Sequence, residues 1–165
     1  AGHAPHPAKA ILEALVATGR TGRAGGAGFY DYVDGRRQGL WSGLWEVFEL
    51  SEEQALADGD AELLQDLVDR MLYGQAIGAL QCFEDGVLLS PEDGNIGSIL
   101  GIGFPAWTGG VVQFVDQVDG GIAGFVTRCG ELEAKYGKRF TVPEIGREIL
   151  DSAAPARQWL ETPKA

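Results

Sequence analysis

The sequence predicts an all-α domain, a bundle of amphipathic helices, on three observations. Apolar residues recur at helical spacing through residues 60–85 and through shorter stretches beyond. Ser51, Ser90 and Thr141 each stand three positions before Gln54, Asp93 and Glu144, the spacing at which side chains satisfy the free amides of a helix N-terminus. No segment carries a convincing period-2 alternation of the kind a half-buried strand needs.

The elements follow in order. Residues 7–18, PAKAILEALVAT, gather Ile11, Leu12, Leu15 and Val16 on one face, with Pro7 at the first helical position and Gly19 as the stop. Residues 19–48 hold too much glycine for a helix, and FYDYV at 29–33 is read as a short extended piece. The tandem Gly39-Leu40-Trp41 and Gly43-Leu44-Trp45 is read as a linker pinned to a neighbour by its aromatics, in preference to a binding patch. A long helix then spans 60–85, with Leu64, Leu67, Met71, Ile77 and Leu80 on its apolar side, closed by Gly86. Ser90-Pro91 followed by two acids opens the next helix, because proline and negative charge both suit a helix start. Three more helices are expected over 108–118, 121–136 (ended by Gly137) and 142–153.

Composition narrows the function. The 165 residues suffice for one core, burying roughly 70% of the unfolded surface. Formal charge is −11, with Asp+Glu 24 against Lys+Arg 13, which argues against nucleic acid and anionic membrane surfaces as partners. The start, AGHAPHPAKA, lacks the apolar core of a signal peptide. Cys82 and Cys129 are read as reduced, buried thiols, which points to the cytoplasm. Residues 94–115 carry no charge, yet their glycines and Pro105 fit a buried or interface-facing helix-turn-helix better than a transmembrane span.

Within that stretch Gly101-Ile102-Gly103-Phe104-Pro105-Ala106 matches the G-x-G-x-x-A pattern of a dinucleotide-binding loop. That loop needs a strand before it and free amides at the start of the following helix. Here Ile96, Ile99 and Leu100 precede it at helical spacing, Pro105 lacks an amide, and VVQFVDQV reads as a helix, so Asp116 and Asp119 are not ribose-binding residues. The expected structure is a sharp helix-to-helix turn with Phe104 and Trp107 filling core. The only histidines, His3 and His6, lie at the terminus. Glu84-Asp85 and Glu131/Glu133 are read as solvated surface acids. Residue chemistry alone gives no active site.

Two stretches carry a family resemblance. One runs from Ala79 through Ser90-Pro91-Glu92-Asp93 to Gly101-Ile102-Gly103-Phe104-Pro105 and Thr108-Gly109-Gly110; the other is Gly26-Ala27-Gly28-Phe29-Tyr30-Asp31-Tyr32. Together with FVTRCGELEAKYGKRFTVPE at 125–144, they resemble the C-terminal part of the 3-hydroxyacyl-CoA dehydrogenases, especially the multifunctional α subunit of fatty-acid β-oxidation. The resemblance implies the helical bundle of the dehydrogenase C-terminal type, similar to that of 6-phosphogluconate dehydrogenase. It places the tail of a preceding copy at 1–32, a linker at 33–50 and the second all-α copy at 51–165, so that the chain begins inside a domain.

By the same resemblance the parent protein is an NAD-dependent L-3-hydroxyacyl-CoA dehydrogenase and enoyl-CoA hydratase. Its nucleotide loop and His–Glu pair lie in a Rossmann domain upstream of Ala1, with no catalytic or cofactor-binding residue and no metal in this part. Active copies carry Asn in an Asn-Arg-Leu-Leu context at the start of the long helix; this chain has Asp69-Arg70-Met71-Leu72. A carboxylate lacks the amide donor and would oppose alkoxide development, so the copy is read as non-catalytic. Its expected role is packing against the Rossmann and first C-terminal domains, with Phe104, Pro105, Trp107, Gly109 and Gly110 as interdomain packing candidates and a thiolase subunit as a further partner. The rival reading is a standalone helical interaction module without enzymatic activity. A third, direct CoA binding by this domain, would rest on Arg36, Arg37, Lys138 and Arg139, few cations for a polyphosphate ligand.

Overall fold

A computed structural model of the chain describes residues 8–49 and 61–162. Its elements are α1 (Ala8–Ala17), β1 (Tyr30–Val33), β2 (Arg36–Leu40), α2 (Leu44–Val47), α3 (Ala61–Glu84), α4 (Pro91–Ile102), α5 (Val111–Gln117), α6 (Gly121–Tyr136), α7 (Glu144–Ser152) and α8 (Ala156–Glu161), with 3₁₀ turns at Arg23–Gly25, Ala106–Thr108 and Lys138–Phe140. The fold class is all-α. Pro7, the Ser51…Gln54 pair, His3 and His6 lie outside the described residues. The chain divides into two units, Ala1–Asp60 and Ala61–Ala165.

In the first unit α1 turns Leu15 inward, while Ile11, Leu12 and Val16 of the same face stay exposed. The strands pair as an antiparallel hairpin, Val33 opposite Arg36 and Tyr32 opposite Arg37. Asp34 and Gly35 both have positive φ (50° and 72°), the two-residue turn that Asp-Gly favours because its twist matches the strands. Residues 30–33 thus form β1, and the stretch expected as a linker holds β2 and α2. Arg20 ties α1 to the hairpin. Its Nε donates to Gly28 O at 2.7 Å, its Nη2 reaches Asp31 Oδ1 at 2.6 Å, and its guanidinium lies 4.3 Å from the Trp41 ring centre.

In the second unit α3, α5, α6 and α7 enclose one core. Its centre is aromatic: Tyr73 stacks on Phe125 with ring centres 5.1 Å apart, and Phe114 meets Tyr73 edge-on and Phe104 at a steep tilt. Such pairs add about 0.5–1.5 kcal/mol each beyond their buried area. Helix α3 stops where Gly86 takes a φ of 70° and Val87 N–H returns to Cys82 O. At Ser90 the expected cap forms, its Oγ accepting Asp93 N–H at 3.1 Å. Thr141 differs. Its hydroxyl donates to Glu133 at 2.5 Å, Pro143 occupies the N-cap of α7, and Ile145 N–H is instead taken by Glu84 of α3 at 2.9 Å. Among the described residues no helix is long and apolar enough to cross a membrane.

Candidate functional site

Helix α4 is built inside out. The residues it turns into the core are small: Pro91, Gly94 and Ser98. A Cβ on Gly94 would lie 3.1 Å from the Phe83 ring and 3.3 Å from Val112, so only glycine admits this spacing without displacement. The bulky apolar residues face outward instead, with Ile96 59% and Leu100 81% exposed. A helix that spends its large side chains on solvent forfeits their burial, worth about 1.5–3 kcal/mol each.

The turn after α4 completes this surface. Gly103 closes the helix with a φ of 73°, and Phe104 N–H returns to Ser98 O at 2.9 Å. Phe104 fills the core as expected, whereas Trp107, expected there too, stands 78% exposed. It sits in the 3₁₀ turn Ala106–Thr108, whose inward residue is Thr108. Of the other packing candidates, Pro105 is half-buried, Gly109 is exposed and Gly110 is buried. At Gly110 φ is 110°, and a Cβ would lie 2.4 Å from Asn95 Cα, so α4 and α5 cross in close contact there. Phe104 and Gly110 therefore serve this domain's own packing; Ile96 and Leu100, one turn apart on the outer face of α4, are exposed, as are Ile102 at the end of the helix and Trp107 in the turn.

The dinucleotide pattern is a helix-to-helix turn, preceded by α4 where a nucleotide loop has a strand. The amides it would offer are already used. Val111 N–H donates to Ser98 Oγ at 3.2 Å, and those of Val112 and Gln113 donate to Asn95 Oδ1 at 2.9 and 3.1 Å. The turn does not fit a nicotinamide dinucleotide.

Asp69 lies well inside α3, eight residues beyond its first, rather than at the start of the helix. It is not simply solvated either. Its Oδ1 accepts from Gln65 at 2.7 Å and its Oδ2 from Arg128 Nε of α6 at 2.9 Å. Arg128 also reaches Glu131 at 2.6 Å and Asp66 at 3.6 Å, and Lys135 reaches Asp66 at 3.4 Å. The Tyr136 hydroxyl donates to Asp66, and that bond, with Lys135 and Arg128 beside it, holds the Asp66 carboxyl below its ordinary value against the opposing effect of burial. Burial pushes the nearby Tyr73 hydroxyl up to about 12, and Asp69 adds to the same shift. Carboxylates and cations of this cluster pair with one another across α3 and α6. Among the described residues no three His, Cys, Asp or Glu side chains gather to hold a metal.

The acids expected to be solvated carry structure. Glu84 caps α7, Glu131 holds Arg128 and Glu133 accepts from Thr141. Asp116, excluded above as a ribose ligand, accepts the amides of Ala156 and Arg157 at 2.5 and 3.0 Å and so caps α8. Asn95 and Ser98 were not singled out by the sequence; their signal, a short polar residue on the inner face of an otherwise small-residue helix, is visible only once the face is known.

The chain is 35% identical over 130 residues to the fatty acid oxidation complex subunit alpha of Vibrio parahaemolyticus, a match covering 79% of this chain and 17% of that protein. The Shewanella amazonensis protein of the same name is 32% identical over 135 residues, covering 81% of the chain and 18% of the relative. This chain is homologous to one segment of that α subunit. It spans less than a fifth of the length of these curated relatives. No protein-family model matches the chain. In this chain Asp69 is an ion-pair residue, and the inverted α4 is the feature that its own core leaves unexplained.

Proposed function

We propose that the chain is the C-terminal all-α part of a multifunctional fatty-acid oxidation protein whose whole length has NAD-dependent L-3-hydroxyacyl-CoA dehydrogenase and enoyl-CoA hydratase activity. Residues 1–32 would complete a preceding dehydrogenase C-terminal copy, and 51–165 would form the second copy. That second copy is a non-catalytic packing domain. It docks its α4 face on the first C-terminal copy and Rossmann domain of the same parent, in the cytoplasm, with a thiolase subunit as a further neighbour.

The observation that carries the reading is the exposure of Ile96 and Leu100 on the outer face of α4, and of Ile102 and Trp107 at its end and in the following turn, in a stretch without charge from 94 to 115. Large apolar side chains exposed close together in the chain support a docking role. Asp69 supports the non-catalytic half, because its carboxylate is engaged by Arg128 and offers no donor to a developing alkoxide.

The test is Leu100→Asp in the longest natural chain, with dehydrogenase activity and thermal stability measured beside the 165-residue chain carrying the same change. The parent should lose stability and activity while the short chain melts as before. A parent indifferent to the substitution rejects the docking role, and a natural product of 17.5 kDa leaves the standalone interaction module as the better reading.

A further inference from the structure

We infer that the second unit carries a binding pocket for an amphiphilic organic anion, a carboxylate or phosphate on an apolar tail, between α3 and the 3₁₀ turn Lys138–Phe140. The inference is independent of the parent protein's activity. An open pocket of about 410 Å³ lies there, within the size range of small-molecule sites. Leu67, Met71 and Phe140 supply apolar wall, and Arg70 and Arg139 supply two guanidinium groups at the same cavity.

Both cations are held without being neutralised. Arg70 lies 4.3 Å from the centre of the Tyr136 ring and Arg139 lies 4.9 Å from that of Phe140. Stacking fixes the plane of a guanidinium and leaves its N–H edge free to form paired hydrogen bonds with an oxyanion. Among the described residues no carboxylate pairs with either one, in a chain where Asp+Glu outnumber Lys+Arg by 24 to 13. The Nε of Arg70 is buried with no hydrogen-bond partner, a costly state for a charged donor. The neighbouring acids do not compete. Asp66 and Asp69 are engaged by Lys135 and Arg128, and more distant charges are screened over about 8 Å at physiological salt. Gly74 keeps the floor open: a Cβ there would point at the Phe140 ring, 3.8 Å away.

The experiment is titration of the 165-residue chain with hexanoate, hexyl phosphate, hexanol and inorganic phosphate, followed by calorimetry and by the arginine Nε–H signals in NMR spectra. Hexanoate or hexyl phosphate should bind saturably and shift the Arg70 signal, and comparing the two identifies the preferred head group. Hexanol and inorganic phosphate, each lacking one half of the recognition, should bind much more weakly. Arg139→Gln, at an exposed position, should weaken binding roughly tenfold, the scale of one charged hydrogen bond. Gly74→Leu, which fills the pocket and removes glycine's helix penalty, should abolish it in a chain that still folds by circular dichroism. Equal binding of hexanol, anion binding that survives Gly74→Leu, or no binding of either amphiphile at millimolar concentration overturns the inference.

Discussion

The side-chain oxygen of Asn95 accepts the backbone N–H of Val112 at 2.9 Å, so a residue in the middle of α4 caps α5. Helix α5 has Gly110 at its own N-cap, with no side-chain oxygen to offer. The same arrangement recurs twice: Pro143 and Pro155 stand at the N-caps of α7 and α8, and Glu84 and Asp116 from other helices take the free amides. A helix whose first turn is satisfied by a neighbour is complete only when docked. Local structure and tertiary packing in the second unit therefore form together.

Removing one such cap tests this coupling. Asn95→Ala frees the amides of both Val112 and Gln113 and should destabilise the chain by about 1–2 kcal/mol. Asn95→Asp keeps the acceptor and places a negative charge at a helix N-terminus, so it should recover most of the loss. Urea unfolding monitored by circular dichroism checks both variants.

Two glycines of the uncharged stretch should respond oppositely to alanine. At Gly110 a side chain meets Asn95 Cα at 2.4 Å and must adopt a φ of 110°, so Gly110→Ala should cost more than about 2 kcal/mol. At Gly101, inside α4 and with nothing within 4 Å of a Cβ, alanine should be neutral or stabilise by up to about 1 kcal/mol. Comparing the two melting temperatures distinguishes a packing turn from a loop whose glycines serve a ligand, which would tolerate neither or both.

Acid should weaken the α3–α6 contact. The Tyr136 hydrogen bond, with help from Lys135 and Arg128, holds the Asp66 pKa below its ordinary 3.8. A depressed folded-state value stabilises the protein above the unfolded value, and the contribution is lost as pH falls through the folded one. Asp66→Asn should therefore be less stable than wild type at neutral pH, with the difference shrinking as pH drops below 3.8. A difference independent of pH would mean that shape, not charge, fixes Asp66.

The thiols should divide. Cys129 is fully buried and its pKa is pushed up to about 12 by that burial, so it should resist a thiol reagent until the chain unfolds. Cys82 is only half-buried, which corrects the expectation of two buried thiols, and it should react first. Counting modified thiols with and without denaturant checks the order.

What the sequence made legible was whatever depends on local pattern. The apolar periodicity of 60–85 gave α3 nearly to its ends, and Ser90-Pro91 with two acids gave the start of α4, because capping and burial there use residues close in the chain. The Asp34-Gly35 turn has a sequence signal, but its strands are too short to show alternation. Thr141 misled because a capping spacing cannot reveal that its hydroxyl is already committed to Glu133. Trp107 misled for a related reason: apolar character predicts burial without saying against which partner. The pocket between Arg70 and Arg139 joins residues far apart in sequence, and no spacing rule could have paired them.

Asp69 offers the sharpest trial of the non-catalytic reading. If it stood where a catalytic amide belongs and were otherwise idle, Asp69→Asn would be harmless to folding and could restore function. Its Oδ2 instead receives Arg128 Nε at 2.9 Å, with the Asp69 side chain only 16% exposed. Asp69→Asn should then lose about 1–2 kcal/mol, because an ion pair with a mostly buried carboxylate becomes a hydrogen bond to an uncharged amide. A double-mutant cycle with Arg128→Met should return most of that loss as coupling between the two residues. Dehydrogenase activity of the 165-residue chain should stay at background throughout. A gain of turnover in Asp69→Asn, or a cycle with no coupling, would place Asp69 in a site and not in a strut between α3 and α6.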